Sequence, residues 1–324
     1  MAEPAVRIVD ACLRDGRGGS PTAVVDESAW AAGRRHLIPP AERSQVPLRF
    51  GTSHAVFVTE PADGDPTRPV DLRFFTAEGE LPACGHGTVA ALTFLAGRRH
   101  REVRRHVGHR CQSQDMRYEF QVRVSGRTFV GHATPDGDRF RAAFDPGPVT
   151  VREPTSVEID LVLAALGVRT DVVAPGACVA SLGRARMLVP LDTPEAVAAL
   201  APDLGRLRAA CDRFGLLGCY VYSRPAVHPC RNDRTHARRS GNVDAAGRLT
   251  ARMFAPSIGV PEDIANANST ACLAAHLARQ GVTDLTVDMG DALGSPASVT
   301  ATARRVPTGV SILVGGVAST GRTG

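Results

Sequence analysis

The turn Ala83-Cys84-Gly85-His86-Gly87-Thr88 places a thiol and an imidazole two residues apart, directly before the Ala/Leu-rich stretch TVAALTFLA (88–96). A thiol at a helix start beside a histidine is biased towards thiolate, because the helix dipole and an imidazolium both favour the anion. Such a pair suits general acid–base work on a carbon acid. Gly85 and Gly87 let backbone and ligand approach closely, and with Thr88 they are assigned to substrate contact. The plain alternative is that Cys84 is a small buried filler and Gly-His-Gly a tight turn.

A second candidate group follows much later. Asp263, in Pro261-Glu262-Asp263, is a carboxylate that could face the imidazole across a cleft as an acid–base partner. Its alternative role is helix capping. Asn266, Asn268 and Ser269 can hydrogen-bond a substrate carboxylate or amine, or only cap the following helix. Gly16-Arg17-Gly18-Gly19-Ser20 follows a strand but lacks the third glycine of a dinucleotide fingerprint. His106, His109 and Cys111, even with His228 and Cys230, match no standard zinc spacing, so no metal is assigned. The Arg-rich tract Arg98 to Arg110 reads as a solvated loop, and Arg231 to Arg239 as an exposed insertion.

The elements that must position these residues are legible in outline. Val6–Asp10, Ala55–Val58, Val70–Phe75, Met187–Pro190, Cys219–Tyr222, Thr250–Phe254 and Val310–Gly316 read as strands. Thr88–Ala96, Val157–Leu166 and Pro194–Leu200 read as helices. Residues 118–133 alternate apolar and polar around Ser125-Gly126, a hairpin pattern. The Pro-, Asp- and Gly-rich tract 134–154 marks a boundary. A near-repeat is the most informative feature: RFFTAEGELPACGHGTVAALTFLAG (73–97) and RMFAPSIGVPEDIANANSTACLAAHLARQG (252–281) share a layout. Each runs from a strand starting with Arg through an acidic, Pro-containing loop and a small-residue turn to an Ala/Leu-rich helix. Duplicated halves would present two facing helix N-termini, a natural seat for a carboxylate.

Composition removes much other chemistry. All 38 basic residues are arginine, so P-loop lysines and Schiff-base lysines are excluded. An all-arginine chain fits a GC-rich genome such as an actinomycete's. The net charge of +5 with only 5% aromatic residues argues against nucleic-acid binding. No apolar run reaches the roughly 18 residues of a membrane helix. The N-terminus lacks a leader-like apolar core, and the 8 scattered cysteines read as reduced, mostly buried thiols. A cytoplasmic protein is expected.

The elements ELPACGHGT and RMFAPSIGVPED, each followed by an Ala-rich helix, resemble the phenazine-biosynthesis PhzF-like family, which is grouped with diaminopimelate epimerase and proline racemase. The resemblance extends from Val6–Asp10 to GVSILVGG (309–316). It implies an α/β (α+β) fold of two pseudo-symmetric halves, each a mostly antiparallel sheet wrapped around a central helix. Residues 1–138, with strand 306–324 returning to them, would form one half and 139–305 the other, with the active site between. Members of this family work without cofactors, by moving protons. By motif, the family's His and Asp correspond to His86 and Asp263, and its Glu corresponds to His54 in Ser53-His54-Ala55-Val56-Phe57-Val58. Cys84 takes the position of the first catalytic cysteine of the epimerases and racemases, and their second falls near Asn266. The usual Gly-Asn-Pro turn is Gly19-Ser20-Pro21 here, which makes Ser20 a candidate substrate contact.

The resemblance thus implies a cofactor-independent isomerase, expected as a homodimer, shifting a proton on a small unsaturated amino or imino acid with a carboxylate. Cys84 or His86 would handle the carbon-bound proton, with Asp263 orienting or relaying and His54 replacing the Glu. Specialised metabolism, including formation of 4-alkylproline precursors, is a candidate setting. The alternatives are an amino-acid racemase or epimerase using Cys84, and a non-catalytic small-molecule binding protein.

Overall fold

The fold is given by a computed structural model that describes residues 6–28, 38–61, 63, 65, 67–107, 116–169, 173, 175–224, 247–307 and 309–323. Two parallel strand pairs organise it: Ser20–Asp26 with His54–Thr59, and Arg184–Leu191 with Leu216–Ser223. Parallel neighbours need a long crossover, which here carries short helices on the outer face. Around each pair the ladder is the same. Val6–Ala11 lies antiparallel to Ser20–Asp26, and His54–Thr59 to Val70–Thr76. Val70–Thr76 in turn pairs with the short Gly79–Leu81 and, in parallel, with Tyr118–Val124. A meander through Arg127–Asp136 and Arg139–Phe144 completes the half.

The second half repeats every step. Cys178–Leu182 flanks Arg184–Leu191, and Leu216–Ser223 lies antiparallel to Arg248–Ala255. Arg248–Ala255 pairs with the short Val260–Asp263 and, in parallel, with Asp284–Met289. Ala297–Val306 and Gly309–Ser319 close the meander. The near-repeat in the sequence is the visible trace of this duplication. Gly309–Ser319 also pairs with Arg139–Phe144, so the strands among the described residues form one 18-stranded hydrogen-bonded system. This is the two-half α+β architecture that the resemblance implies.

A central helix runs through each half: Gly85–Val107 in the first and Ala267–Ala278 in the second. Val89, Ala90, Ala91, Leu92, Leu95 and Ala96 are wholly buried, as are Ala271, Cys272, Leu273 and Ala274. A helix apolar on every side is stable only when a sheet encloses it. One apolar cluster joins both helices and the inner sheet faces, from Val9 to Ala318. A separate cluster lies under the outer helices Ser156–Leu166 and Leu204–Phe214.

One expectation changes. The Arg-rich tract is helical through Val107 rather than a loop, because arginine is a good helix former and Arg104, Arg105 and His106 sit favourably at the negative helix end. Arg98 pairs there with Asp26 and Glu60. Arg127–Asp136 and Arg139–Phe144 form a hairpin across residues 137 and 138. Strand Ser20–Asp26 and helix Leu204–Phe214 add to the elements read from sequence. His109, Cys111, His228, Cys230 and the tract 231–239 lie outside the described residues. Among the described residues no helix is long and apolar enough to cross a membrane. Cys12, Cys84, Cys178, Cys211, Cys219 and Cys272 are free and buried.

Candidate active site

The two central helices begin against each other. A Cβ placed on Gly85 would stand 2.7 Å from the Ala267 Cβ and 2.8 Å from the Asn268 backbone nitrogen. Only a glycine allows this approach, so the starts of the two central helices lie directly against each other. The capping geometry is duplicated too. Thr88 donates its N–H and hydroxyl to the Cys84 carbonyl (3.0 and 2.8 Å), and Thr270 does the same to Asn266 (3.0 and 3.1 Å).

The first half contributes His54, Cys84 and His86, all buried. The His86 Nδ1–H donates to the Ala265 carbonyl at 2.7 Å, which leaves Nε2 facing the Cys84 Sγ at 3.5 Å. The His54 ring meets the His86 ring edge-on with centroids 4.4 Å apart, and its Nδ1 lies 2.9 Å from the Ser53 hydroxyl. Burial alone would push the His86 imidazole down. The Cys84 sulfur, the Asp263 carboxylate and hydrogen bonds to Cys84 and to the Ala265 carbonyl outweigh that and hold it up at about 10. Burial, reinforced by the charge of His86, pushes His54 well below the usual imidazole value, so it is neutral.

The second half contributes Asp263 at the end of Val260–Asp263, with Oδ2 3.8 Å from the His86 Nδ1. The Asn266 amide donates to that Oδ2 at 2.9 Å, while its own Oδ1 accepts the Ser269 N–H at 2.9 Å. Asn266 is therefore both a helix cap and a tether for the carboxylate. Burial raises the Asp263 carboxyl above the usual value, against the pull of His86, Asn266 and the N–H groups of Ala265 and Ile264. Its Oδ1 is buried without a hydrogen-bond partner among the described residues. An unsatisfied buried carboxylate oxygen is costly, and it marks a place where a ligand donor belongs.

These groups line a cavity of about 320 Å³ between the halves, with Leu81, Val124, Phe129 and Phe144 on one side and Leu182, Leu217 and Val260 on the other. His54, Cys84, Gly85, His86, Thr88, Asp263, Asn266 and Asn268 all line it. Ser20, Gly87 and Ser269 do not. Ser20 is wholly buried at the start of its strand. Gly87 makes room for Phe74 and for the Cys84 sulfur, at 2.9 and 3.0 Å from a Cβ placed there. The Ser269 hydroxyl instead faces Arg186 and the Met253 sulfur.

Arg186 is the residue that sequence reading missed. It lies on Arg184–Leu191, is 2% exposed and lines the cavity. Its partners are the Ser269 hydroxyl at 3.4 Å and the Arg184 carbonyl at 2.9 Å, its Nε has none, and no carboxylate pairs with it among the described residues. A buried guanidinium without an anion is poised to receive one. With Arg127 and Arg184 it makes the cleft cationic, Asp263 being the one acidic lining residue among those described. The only signal available in the sequence was an arginine in an otherwise apolar strand, MLVPL preceded by Arg184-Ala185-Arg186.

A family described as phenazine biosynthesis-like protein (PhzC-PhzF) matches residues 44–324. A Pseudomonas aeruginosa protein named as the uncharacterized isomerase PA2770 is 30% identical over 285 residues, covering 88% of this chain and 86% of its own. The trans-2,3-dihydro-3-hydroxyanthranilate isomerase of Pseudomonas fluorescens is 26% identical over 277 residues, covering 85% and 80%. Among solved structures, the Bacillus anthracis phenazine biosynthesis protein of the PhzF family superposes with a TM-score of 0.70 over 98% of this chain and 97% of its own. Its 14% identity makes that likeness one of fold.

Proposed function

The chain belongs to the phenazine biosynthesis-like (PhzC-PhzF) family, and from that premise we propose that it is an isomerase moving a proton, and with it a double bond, on a small unsaturated amino or imino acid. The observation that carries this reading is the Cys84–His86 pair meeting Asp263 in a cleft whose other charges are arginines. The matched relatives carry isomerase names, and one is named for an unsaturated amino carboxylate.

In this proposal the substrate carboxylate docks on Arg186 and the adjoining helix N-termini. Charge that develops when a proton leaves carbon then spreads into a carboxylate already held by donors. The Asp263 Oδ1 accepts from the substrate nitrogen and fixes its orientation. The Cys84 Sγ and His86 Nε2 share one proton. Sγ takes the proton from carbon, the C–H electron pair shifts into the conjugated system, and Nε2–H delivers a proton at the far carbon. Transfer from Sγ to Nε2 restores the pair. His54, neutral, stands beside them as a further proton acceptor. No redox partner is needed for this balance. Specialised metabolism, including 4-alkylproline precursor formation, is the narrowest form of the reading.

Incubation with candidate unsaturated amino acids in deuterated water, followed by NMR, tests it. Deuterium at the far carbon with a shifted double bond is the expected result. Deuterium at Cα with inversion would make the protein a racemase, and tight binding without any exchange would make it a binding protein.

A further inference from the structure

His54, Cys84 and His86 each offer one donor atom, and the three atoms lie within 4.8 Å of one another, all from buried residues. In a tetrahedral zinc site, Zn–S of about 2.3 Å and Zn–N of about 2.0–2.1 Å place donors roughly 3.3–3.6 Å apart. Cys84 Sγ and His86 Nε2, at 3.5 Å, already stand at that separation. His54, whose donor atom lies within 4.8 Å of the other two, needs to close by roughly 1.2–1.5 Å at most to complete the set. We propose that these three side chains form a binding site for one thiophilic divalent ion of the Zn²⁺ type, with its fourth position open to the cleft. The inference rests on this geometry and does not depend on the isomerase reading.

The surroundings resemble those of built metal sites. Each ring is held through Nδ1, His86 on the Ala265 carbonyl and His54 beside the Ser53 hydroxyl, which leaves Nε2 free to ligate. Ligating histidines are generally oriented in this way through their other nitrogen. The Asp263 carboxylate behind His86 favours a nearby cation, and the cavity lined by all three residues provides entry and room for a water or ligand atom. Binding is proton-balanced. The Cys84–His86 pair gives up its one shared proton, whether it sits on sulfur or on Nε2, and the His86 Nδ1–H stays on Ala265. A bound ion occupies the lone pairs that would otherwise carry protons, so ion loading and proton transfer exclude each other.

The test is calorimetric titration of the metal-free full-length protein with Zn²⁺ in two buffers of different ionisation enthalpy, alongside the absorption spectrum with Co²⁺. One ion per chain, one proton released near neutral pH and a sulfur-to-cobalt charge-transfer band are expected. Loss of even an outer partner weakens metal binding by roughly 10–100-fold, so Cys84→Ser and His54→Gln should each weaken it by about 100-fold or more, the former losing the band. Unchanged affinity in either variant overturns the site, because the ion would then be held elsewhere. A readout free of folding effects uses the unaltered protein: stoichiometric Zn²⁺ should protect Cys84 from iodoacetamide, followed at its own peptide by mass spectrometry. Undiminished alkylation of Cys84 with the ion bound overturns the proposal as well.

Discussion

The two halves share a scaffold and divide the chemistry. Arg73 and Arg252 occupy the same place on equivalent strands, each gripping a glutamate of the next strand through two nitrogens, Glu80 and Glu262, and each lying over a phenylalanine, Phe75 and Phe254. Thr88 and Thr270 close the two helix starts alike. Counted along equivalent ladders, His54 corresponds to Gly218, Leu81 to Asp263, and Thr22 to Arg186. The shared caps likewise align Cys84 with Asn266 and His86 with Asn268. The first half thus brings a thiol and two imidazoles to the meeting point, and the second brings a buried arginine and an amide that tethers a carboxylate. A duplicated fold keeps its capping and ion-pair geometry while the residues at the meeting point diverge.

The sharpest way to break this division is to make the first half resemble the second. Cys84→Asn and His86→Asn install the residue found at the equivalent position. General acid–base groups contribute about 10²–10⁴-fold, so each variant should lose that much deuterium exchange. Asn is also a better helix cap than Cys, so Cys84→Asn should leave stability unchanged or raise it by about 1 kcal/mol in urea unfolding. Exchange retained in both variants would move the chemistry to the other half. Next in size, Arg186→Met should lower kcat/KM by about 10–100-fold, through a raised KM and a smaller fall in kcat, the amount a charge-assisted hydrogen bond supplies. A fall in kcat with constant KM would place Arg186 in the proton-transfer step instead of the binding step.

The sequence displayed the shared scaffold better than the divergent chemistry. Two Arg-led strands, two small-residue turns and two Ala-rich helices are local patterns, and local patterns survive in one dimension. Cys84 and His86 stood out as reactive types at a helix start, and Asp263 as a carboxylate just ahead of the equivalent helix. Arg186 did not, because its meaning depends on burial and on a missing carboxylate, both properties of three-dimensional packing. Gly87 and Ser269 were read as ligand contacts from proximity in sequence, yet a helix turns adjacent residues to different faces, one to Phe74 and the other to Arg186. His54 was visible only through the resemblance, since a lone histidine opening an apolar strand carries no local signature.

The two Arg–Glu pairs offer a stability comparison. Arg252–Glu262 is 11% exposed on both sides and Arg252 also reaches the Leu200 carbonyl at 2.6 Å, whereas Arg73–Glu80 is 41% exposed on both sides. Arg252→Met should therefore cost about 3 kcal/mol and Arg73→Met less than about 1 kcal/mol, read by urea unfolding. Equal losses would mean that burial does not distinguish the halves.

The pH dependence separates the two first-half histidines. His86 is raised in the fold to about 10, above its ordinary 6.5, so its contribution is complete below 6.5 and is lost as pH rises towards 10. His54 is depressed, so its contribution is complete above 6.5 and is lost as pH falls below it. The unfolding free-energy difference between wild type and His86→Asn should shrink from pH 6.5 to 10. The difference between wild type and His54→Asn should instead fall as pH drops from 6.5 to 5. Slopes of the same sign for both would contradict the opposite protonation states assigned to the two rings.

The smallest effect tests the closest likeness. Thr88 and Thr270 each donate a hydroxyl to the carbonyl that opens a central helix, and each carbonyl also receives a backbone N–H. Thr88→Val therefore leaves no carbonyl unsatisfied and should cost only about 0.5–1 kcal/mol. Thr270 has a second duty. With its own proton given to Asn266, its oxygen accepts from the Tyr220 hydroxyl at 2.9 Å, and Tyr220 is wholly buried. The equivalent residue in the first half is Val56, which has no hydroxyl to satisfy. Thr270→Val would leave that phenol with only the Met289 sulfur at 3.6 Å, adding about 1–2 kcal/mol to the loss. Tyr220→Phe should then remove most of the added cost in the double variant, because both ends of the bond would be gone. Equal losses at Thr88 and Thr270, or no coupling between Thr270 and Tyr220, would show that the phenol finds another partner and that the two helix starts are energetically as alike as they look.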